Sequence, residues 1–244
     1  MPIISSRQNS LVKRIRDALR EHETEIVLEG PKHVADAIAS GWKAIAVLER
    51  GVDLTEEVYD YVSDTKHPQR VLGLFERPRA SAAGILARRD TVAVALDAVQ
   101  DPGNVGTIVR LAAAFDAAGV LLLPGCADPF APKAIRSSAG AILNVPVAPV
   151  TARELIDARL PLYAADASGN AIDPPPANAV LIFGNEGAGV SEELLRHAAP
   201  IAIRMSGRAE SLNVASSAAI LLARSFGGRT DGTHGTNGTH GTNG

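Results

Sequence analysis

Three short stretches in the second half of the chain combine turn-forming glycines with polar side chains that a core has no use for. They are DPGNVGTIVR (Asp101 to Arg110), LIFGNEGAGV (Leu181 to Val190) and IRMSGRAESLNVASSAA (Ile203 to Ala219). Each is led in by an apolar run that reads as a strand. Loops at the ends of neighbouring strands form one site, here sized for a small, polar, adenine-like ligand. In the first stretch Asp101 is a good N-cap and Pro102 a good first-turn residue. Gly103 and Gly106 leave the helix start bare for a ligand, and Asn104 offers an amide at the same mouth. Arg110 lies further along, and a long helical side chain leans back toward the N-terminus. It reads either as a surface arginine or, among Ile108, Val109, Leu111 and Ala112, as a charge that needs a partner or a purpose.

The second stretch, Gly184-Asn185-Glu186-Gly187-Ala188-Gly189, ends a buried strand before a helix capped by Ser191. Its glycines do not fall at the G-x-G-x-x-G spacing of a dinucleotide loop. Glu186 would repel phosphate, so the loop suits an uncharged or cationic ligand. The third stretch has Gly207 as a turn, then Ser211, Leu212 and Asn213 at a helix start. Ser211 alone reads as an N-cap. Asn213, inside the first turn, has no such structural explanation.

The elements that must position these loops are legible as alternating patterns. Residues 1–76 predict a helix on Leu11, Ile15 and Leu19, then strands at Glu25 to Leu28, Ala44 to Leu48 and Arg70 to Phe75. Helices at Lys32 to Ala39 and Thr55 to Val62 lie between them, so a small parallel or mixed sheet is expected. Residues 77–90 read as a linker. Beyond them apolar runs predict strands at Val92 to Val99, Val120 to Leu123, Val145 to Val150, Leu162 to Ala165, Val180 to Phe183 and Ile201 to Met205. Helices are expected at Thr107 to Ala117, Pro132 to Ala139, Ala152 to Ala158, Glu192 to His197 and Leu212 to Phe226, giving a doubly wound α/β pattern. Pro174-Pro175-Pro176 reads as a rigid loop. Residues 229–244 are a Gly-Thr-His-Asn repeat, expected to be disordered, with His234 and His240 inert.

Bulk properties narrow the class. The chain has 244 residues, 46% hydrophobic and 21% charged, with a net charge of −3, as in an ordinary soluble protein. One cysteine, Cys126, excludes an internal disulfide framework and suits a reducing cytoplasm. The start lacks signal-peptide features, and no apolar run approaches the ~20 residues that span a bilayer. No metal-ligand spacing appears. Arg7, Lys13, Arg14, Arg16 and Arg20 form a local basic stripe, read as a solvated helix face or as a contact for phosphates.

Together and in this order, the three stretches closely resemble the motifs of the SpoU (TrmH) family of RNA ribose 2′-O-methyltransferases, in the SPOUT superfamily. Asn104 and Arg110 match the first motif, and Gly184, Glu186 and Gly189 the second. Ile203, Met205, Gly207, Ser211, Leu212 and Asn213 match the third. The likeness covers about Thr91 to Phe226. ISSRQNSLVKRIRDAL and VLEGPKHVADAI resemble the family's N-terminal RNA substrate-binding domain. The resemblance implies a small α/β RNA-binding domain (1–76), a linker (77–90) and an α/β SPOUT domain with a deep trefoil knot (91–228). It implies S-adenosylmethionine held largely by backbone of the second and third motifs, around Phe183, Gly184, Gly189, Ile203, Met205 and Leu212. It implies a homodimer acting on RNA, ribosomal before transfer RNA, with Arg7, Lys13 and Arg14 among the RNA contacts. Arg110 would handle the hydroxyl proton, as a base or by stabilising the alkoxide; Asn104 would position Arg110 or the ribose, Ser211 and Asn213 would bind the RNA or order the loop, and Glu186 would fix the second loop. Arg204 stands where the family usually has proline. Two other classes stay in view: a non-catalytic RNA-binding or assembly factor, and a nicotinamide oxidoreductase, which the missing G-x-G-x-x-G disfavours.

Overall fold

The computed structural model describes residues 2–65, 67–170, 175–206, 208 and 211–230. Gly207, Pro174, and the tail from residue 231, with His234 and His240, lie outside them. The N-terminal part opens with helix α1 (Ser10–Glu21), capped by Asn9, whose Oδ1 accepts from the Leu11 N–H at 2.9 Å. Val12, Ile15 and Ala18 are its buried residues; Leu11 and Leu19, expected to lead the apolar face, sit at its margin.

Strands β1 (Glu25–Glu29), β2 (Ala44–Glu49) and β3 (Val71–Glu76) alternate with α2 (Pro31–Ala39) and α3 (Glu56–Val62). The sheet order is β1-β3-β2, and β3 is antiparallel to both neighbours. The parallel or mixed pairing expected from the element order is therefore corrected. β1 and β2 do run in the same sense, as a strand–helix–strand unit demands, but β3 enters between them in reverse. Alternation of elements does not encode that insertion.

Residues 77–90, expected as a linker, contain helix α4 (Ala82–Leu86). Ser81 caps it by accepting from the Gly84 N–H, and Ile85 and Leu86 are buried. The helix is stable because it covers one face of the following sheet.

That sheet contains β4 (Ala93–Asp97), β5 (Val120–Leu122), β6 (Val147–Pro149), β7 (Leu162–Asn170), β8 (Val180–Gly184) and β9 (Ala199–Ile201). Its order is β6-β5-β4-β8-β7-β9, with every pairing parallel, as the continuous apolar runs imply. Alternate residues face opposite layers. Val94, Leu96, Leu181 and Phe183 pack against α5 (Pro102–Ala114) and α9 (Val214–Thr230). Ala93, Ala95, Val180 and Ile182 pack against α4, α7 (Ala152–Asp157) and α8 (Glu192–Leu195). Strand β9 ends at Ile201, earlier than the predicted strand, so Ile203 and Met205 leave the sheet. β4 and β8 are neighbours although the chain runs outward from β4 through β5 and β6 before returning. Ligands in open α/β sheets bind where strand order reverses, outside the carboxyl ends.

Two contacts fix the layers to each other. Trp42, just before β2, stands edge-on to Phe75 and Phe130 at 6.1 and 6.0 Å, and its indole N–H donates to the Leu143 carbonyl at 3.2 Å. α5 and α6 (Pro132–Ser138) meet at Gly106, where an added Cβ would lie 2.2 Å from the Ala134 carbonyl oxygen. Gly106 thus permits helix–helix approach; the ligand access expected of it is corrected. Gly106→Ala sets helix propensity, a gain of about 1 kcal/mol, against overpacking, a loss of about 1–3 kcal/mol. A lower urea midpoint is expected, and an unchanged or higher one contradicts this packing.

Candidate functional site

β4 delivers Asp97, a carboxylate 7% exposed, to its carboxyl end. Asp97 accepts from the Ser191 N–H at 2.7 Å and so anchors the start of α8 from below. Ser191 sits at the N-cap without making a side-chain cap bond, so the expected capping bond is corrected: Ser191 is held instead through its own N–H by the buried carboxylate. Asp97 is not legible from the sequence because it lies within an apolar strand run with no motif around it. Ala98 then turns with φ 54°, and its carbonyl accepts from Asn185 Nδ2 at 2.9 Å. Non-glycine residues in this conformation concentrate at functional sites.

Asp101 caps α5, accepting from the Asn104 N–H at 3.0 Å, and Lys133 reaches its other oxygen at 2.6 Å. The Lys133 hydrogen bond, then the backbone N–H of Asn104, hold the Asp101 carboxyl below its ordinary range. The second loop closes on itself. Asn185 and Gly189 exchange backbone bonds of 3.0 and 2.9 Å, and Gly189 has φ +74°. A Cβ on Gly184 would lie 2.1 Å from the Gly189 carbonyl carbon, so only glycine lets the loop fold back this tightly.

The three loops meet at Asn104. Its Nδ2 donates to Glu186 Oε1 at 2.8 Å, and its Oδ1 accepts from Asn213 Nδ2 at 3.2 Å. The Gln100 N–H adds a 3.4 Å bond to Glu186 Oε2. Burial raises the Glu186 pKa, but the bonds from Asn104 and backbone N–H groups outweigh it and leave the carboxyl below its ordinary range. Asn213 also turns out to be the N-cap of α9: its Oδ1 accepts from Ala215 N at 2.9 Å. The expected cap at Ser211 is therefore corrected. The helix begins at Val214, and Ser211 instead lines a cleft.

That cleft is walled by Ile201, Ile203, Met205 and Leu212, with Ala165, Asp166, Ser211 and Ser217. Its cavity volume is about 150 Å3 and it is open to solvent, smaller than the ~300–1,000 Å3 pockets that enclose a whole drug-sized ligand, so it can seat part of such a molecule. Apolar walls, hydroxyls and one carboxylate fit an adenosyl group carrying positive charge.

The remaining expected site residues are distributed as follows. Ile203, Met205, Ser211 and Leu212 meet in the cleft. Asn104, Glu186 and Asn213 form the hydrogen-bonded cluster, while Gly184 and Gly189 shape the second loop. The Phe183 side chain is 1% exposed in the core, so only its backbone can face a ligand. Arg110 is exposed, because the apolar residues around it in sequence point to the other face of α5. Six residues separate it from Asn104, about 9 Å along the axis and some 120° around it. It stands outside the cluster, with no hydrogen-bond or ion-pair partner among the described residues. In α1, Arg14 forks onto Glu25; Arg7, before the helix, pairs with Glu57 at 2.9 Å. Lys13 is exposed without a partner among the described residues. Arg204 is exposed beyond β9, where its side chain meets solvent. Among the described residues, no group of His, Cys, Asp and Glu could hold a metal, and no helix is long and apolar enough to cross a membrane.

Fold and site together define a parallel α/β protein with a three-loop ligand site at the carboxyl ends of its central strands. Residues 91–223 match the SpoU rRNA Methylase family, and the chain belongs to that family. It is 34% identical over 215 residues to the 23S rRNA (guanosine(2553)-2′-O)-methyltransferase RlmP of Bacillus subtilis, covering 83% of this chain and 84% of that one. An uncharacterized tRNA/rRNA methyltransferase of Mycolicibacterium smegmatis is 36% identical over 72% of this chain, which spans only 55% of that longer protein. The structure of an AdoMet-bound rRNA methyltransferase from Sinorhizobium meliloti superposes with a TM-score of 0.81 at 31% identity, over 91% of this chain and 96% of that one.

Two outcomes follow from the cluster. Asn213→Ala should lower stability by about 1 kcal/mol through loss of the cap. Asn213→Asp should keep the cap and near-native stability while losing the donor to Asn104. Equal melting losses in both variants would contradict the double role. Because the Glu186 pKa is lowered on folding, its contribution is present above the ordinary glutamate value of about 4.3 and is lost as pH falls through the folded value. The Asn104 side-chain amide resonances should hold steady from about pH 8 to 5 and move only below about 4; movement near neutrality would refute the contact.

Proposed function

We propose that this protein transfers a methyl group from S-adenosyl-L-methionine to a ribose 2′-hydroxyl of RNA, with large-subunit ribosomal RNA as substrate. The observation that carries this reading is the junction at Asn104, which ties all three family motifs together beside a partly apolar cleft. The Bacillus subtilis and Sinorhizobium meliloti relatives support the reaction and the donor.

The donor supplies an electrophilic methyl: its sulfur–methyl bond breaks as the oxygen–methyl bond forms and the hydroxyl proton leaves. The protein's share is alignment, which contributes much of the acceleration in such displacements. Ile203, Met205 and Leu212 hold the adenosyl part, with backbone of Phe183, Gly184 and Gly189 closing the second loop. Asn104, Glu186, Ser211 and Asn213 set the mouth that receives the ribose. Arg110 stabilises the developing alkoxide. An arginine guanidinium stays protonated, so water or a phosphate takes the proton.

A homodimer gives Arg110 its place. Arg110 is exposed on α5, and Leu212, two residues before α9, and Ile220, within it, are each 38% exposed; α9 packs in the same layer. We read this face as the subunit contact that brings Arg110 to the site. Residues 1–76 act as the RNA-binding domain, with Arg7, Lys13 and Arg14 on the phosphates, and 77–90 as the connection. Residues 91–228 form the knotted catalytic domain of a cytoplasmic enzyme, and 229–244 a tail without a part in the reaction.

Incubation of 23S-type ribosomal RNA and bulk transfer RNA with labelled donor should label the ribosomal RNA at one alkali-resistant linkage. Label in transfer RNA alone would overturn the substrate assignment. Arg110→Ala should slow single-turnover methylation about 100-fold or more with donor affinity unchanged, whereas a near-native rate removes Arg110 from the mechanism.

A further inference from the structure

The cleft wall carries a carboxylate that none of the three motifs includes. Asp166 follows Ala165, the residue of β7 that pairs with Ile201 of β9, and it lines the cleft with Ile201, Ile203, Met205 and Leu212. Among the described lining residues it alone bears a charge. The site's other three carboxylates lie elsewhere: Asp97 receives Ser191 N–H beneath the sheet end, Asp101 caps α5 and receives Lys133, and Glu186 receives Asn104 and Gln100 at the loop junction.

We propose that Asp166 is a specificity-determining residue that reads the positive charge of the methyl donor's sulfonium and thereby distinguishes donor from spent product. The inference rests on the donor reading given above. The donor carries a sulfonium cation; the product left after transfer is a neutral thioether. The two molecules share adenine, ribose and amino-acid parts, so apolar walls and hydroxyls hold both alike. A cation entering an apolar cleft without an anion loses hydration that nothing replaces. A carboxylate in the wall replaces it, and acts more strongly there than in bulk water because the local dielectric is lower. Once the methyl leaves, the attraction to Asp166 vanishes. Ser211 and Ser217 remain as hydroxyl partners for the groups that both ligands share. Asp166 thus weakens product inhibition without weakening donor capture.

The test is calorimetric titration of the full chain and its Asp166→Asn variant with S-adenosylmethionine and with S-adenosylhomocysteine. The expected result is a donor Kd raised about tenfold in the variant and a product Kd essentially unchanged, which also reports an intact fold. Equal weakening of both ligands would overturn the proposal, because the carboxylate would then serve a part that both share. Unchanged affinity for both would overturn it as well. A native chain that binds neither ligand would sink the donor reading itself, and the role of Asp166 with it.

Discussion

The side-chain amide of Asn104 is the contact on which the site depends. It receives a proton donor from one loop on its oxygen and offers its nitrogen to another. An amide places an acceptor and a donor on separate atoms of one short side chain, so it can face two loops at once. The backbone of Asn104 is itself fixed by the Asp101 cap, and Asp101 by Lys133 from the neighbouring helix. Three loops that are remote in sequence therefore inherit one register from a single helix start. The same bonds keep Asp101 and Glu186 ionised. The mouth of the site is thus a place of settled charge and fixed hydrogen-bond direction, as alignment chemistry requires.

Glycine has a different part here from the one its sequence context suggests. Gly106 lies against the Ala134 carbonyl and Gly184 against the Gly189–Val190 backbone. Both serve approach between stretches of backbone rather than between backbone and ligand. The tight second loop that results presents main-chain groups beside the cluster, and a side chain at Gly184 would open it.

Much of this architecture is legible from the residues. The core strands read correctly because burial on both faces demands uninterrupted apolar runs, and the helix at Pro102 announces itself through Asp101. The antiparallel insertion of β3 is not legible, because strand direction depends on contacts far apart in sequence. Helix α4 is hidden behind a Pro-Arg-Ala-Ser-Ala stretch of weak local preference and forms because Ile85 and Leu86 have a sheet face to cover. In the site, Asn104 and Glu186 stand out as polar residues beside glycines, and Asn213 as an amide at a helix start. Asp97 and Asp166 are not legible because each lies within a strand with no motif around it, and only the folded chain shows what surrounds them. The surroundings of Arg110 misled in the opposite sense: apolar neighbours along a helix lie on another face, and the arginine is exposed.

Trp42 carries a last consequence. Its ring is held between Phe75 and Phe130, and its N–H is spent on Leu143. Ile26, Leu28 and Phe75 share one continuous core with residues of the large sheet. The first 76 residues are therefore not a cassette on a string. Any exchange of these residues for another module would have to replace both sides of this seam together, so the two parts are bound to change as a matched pair.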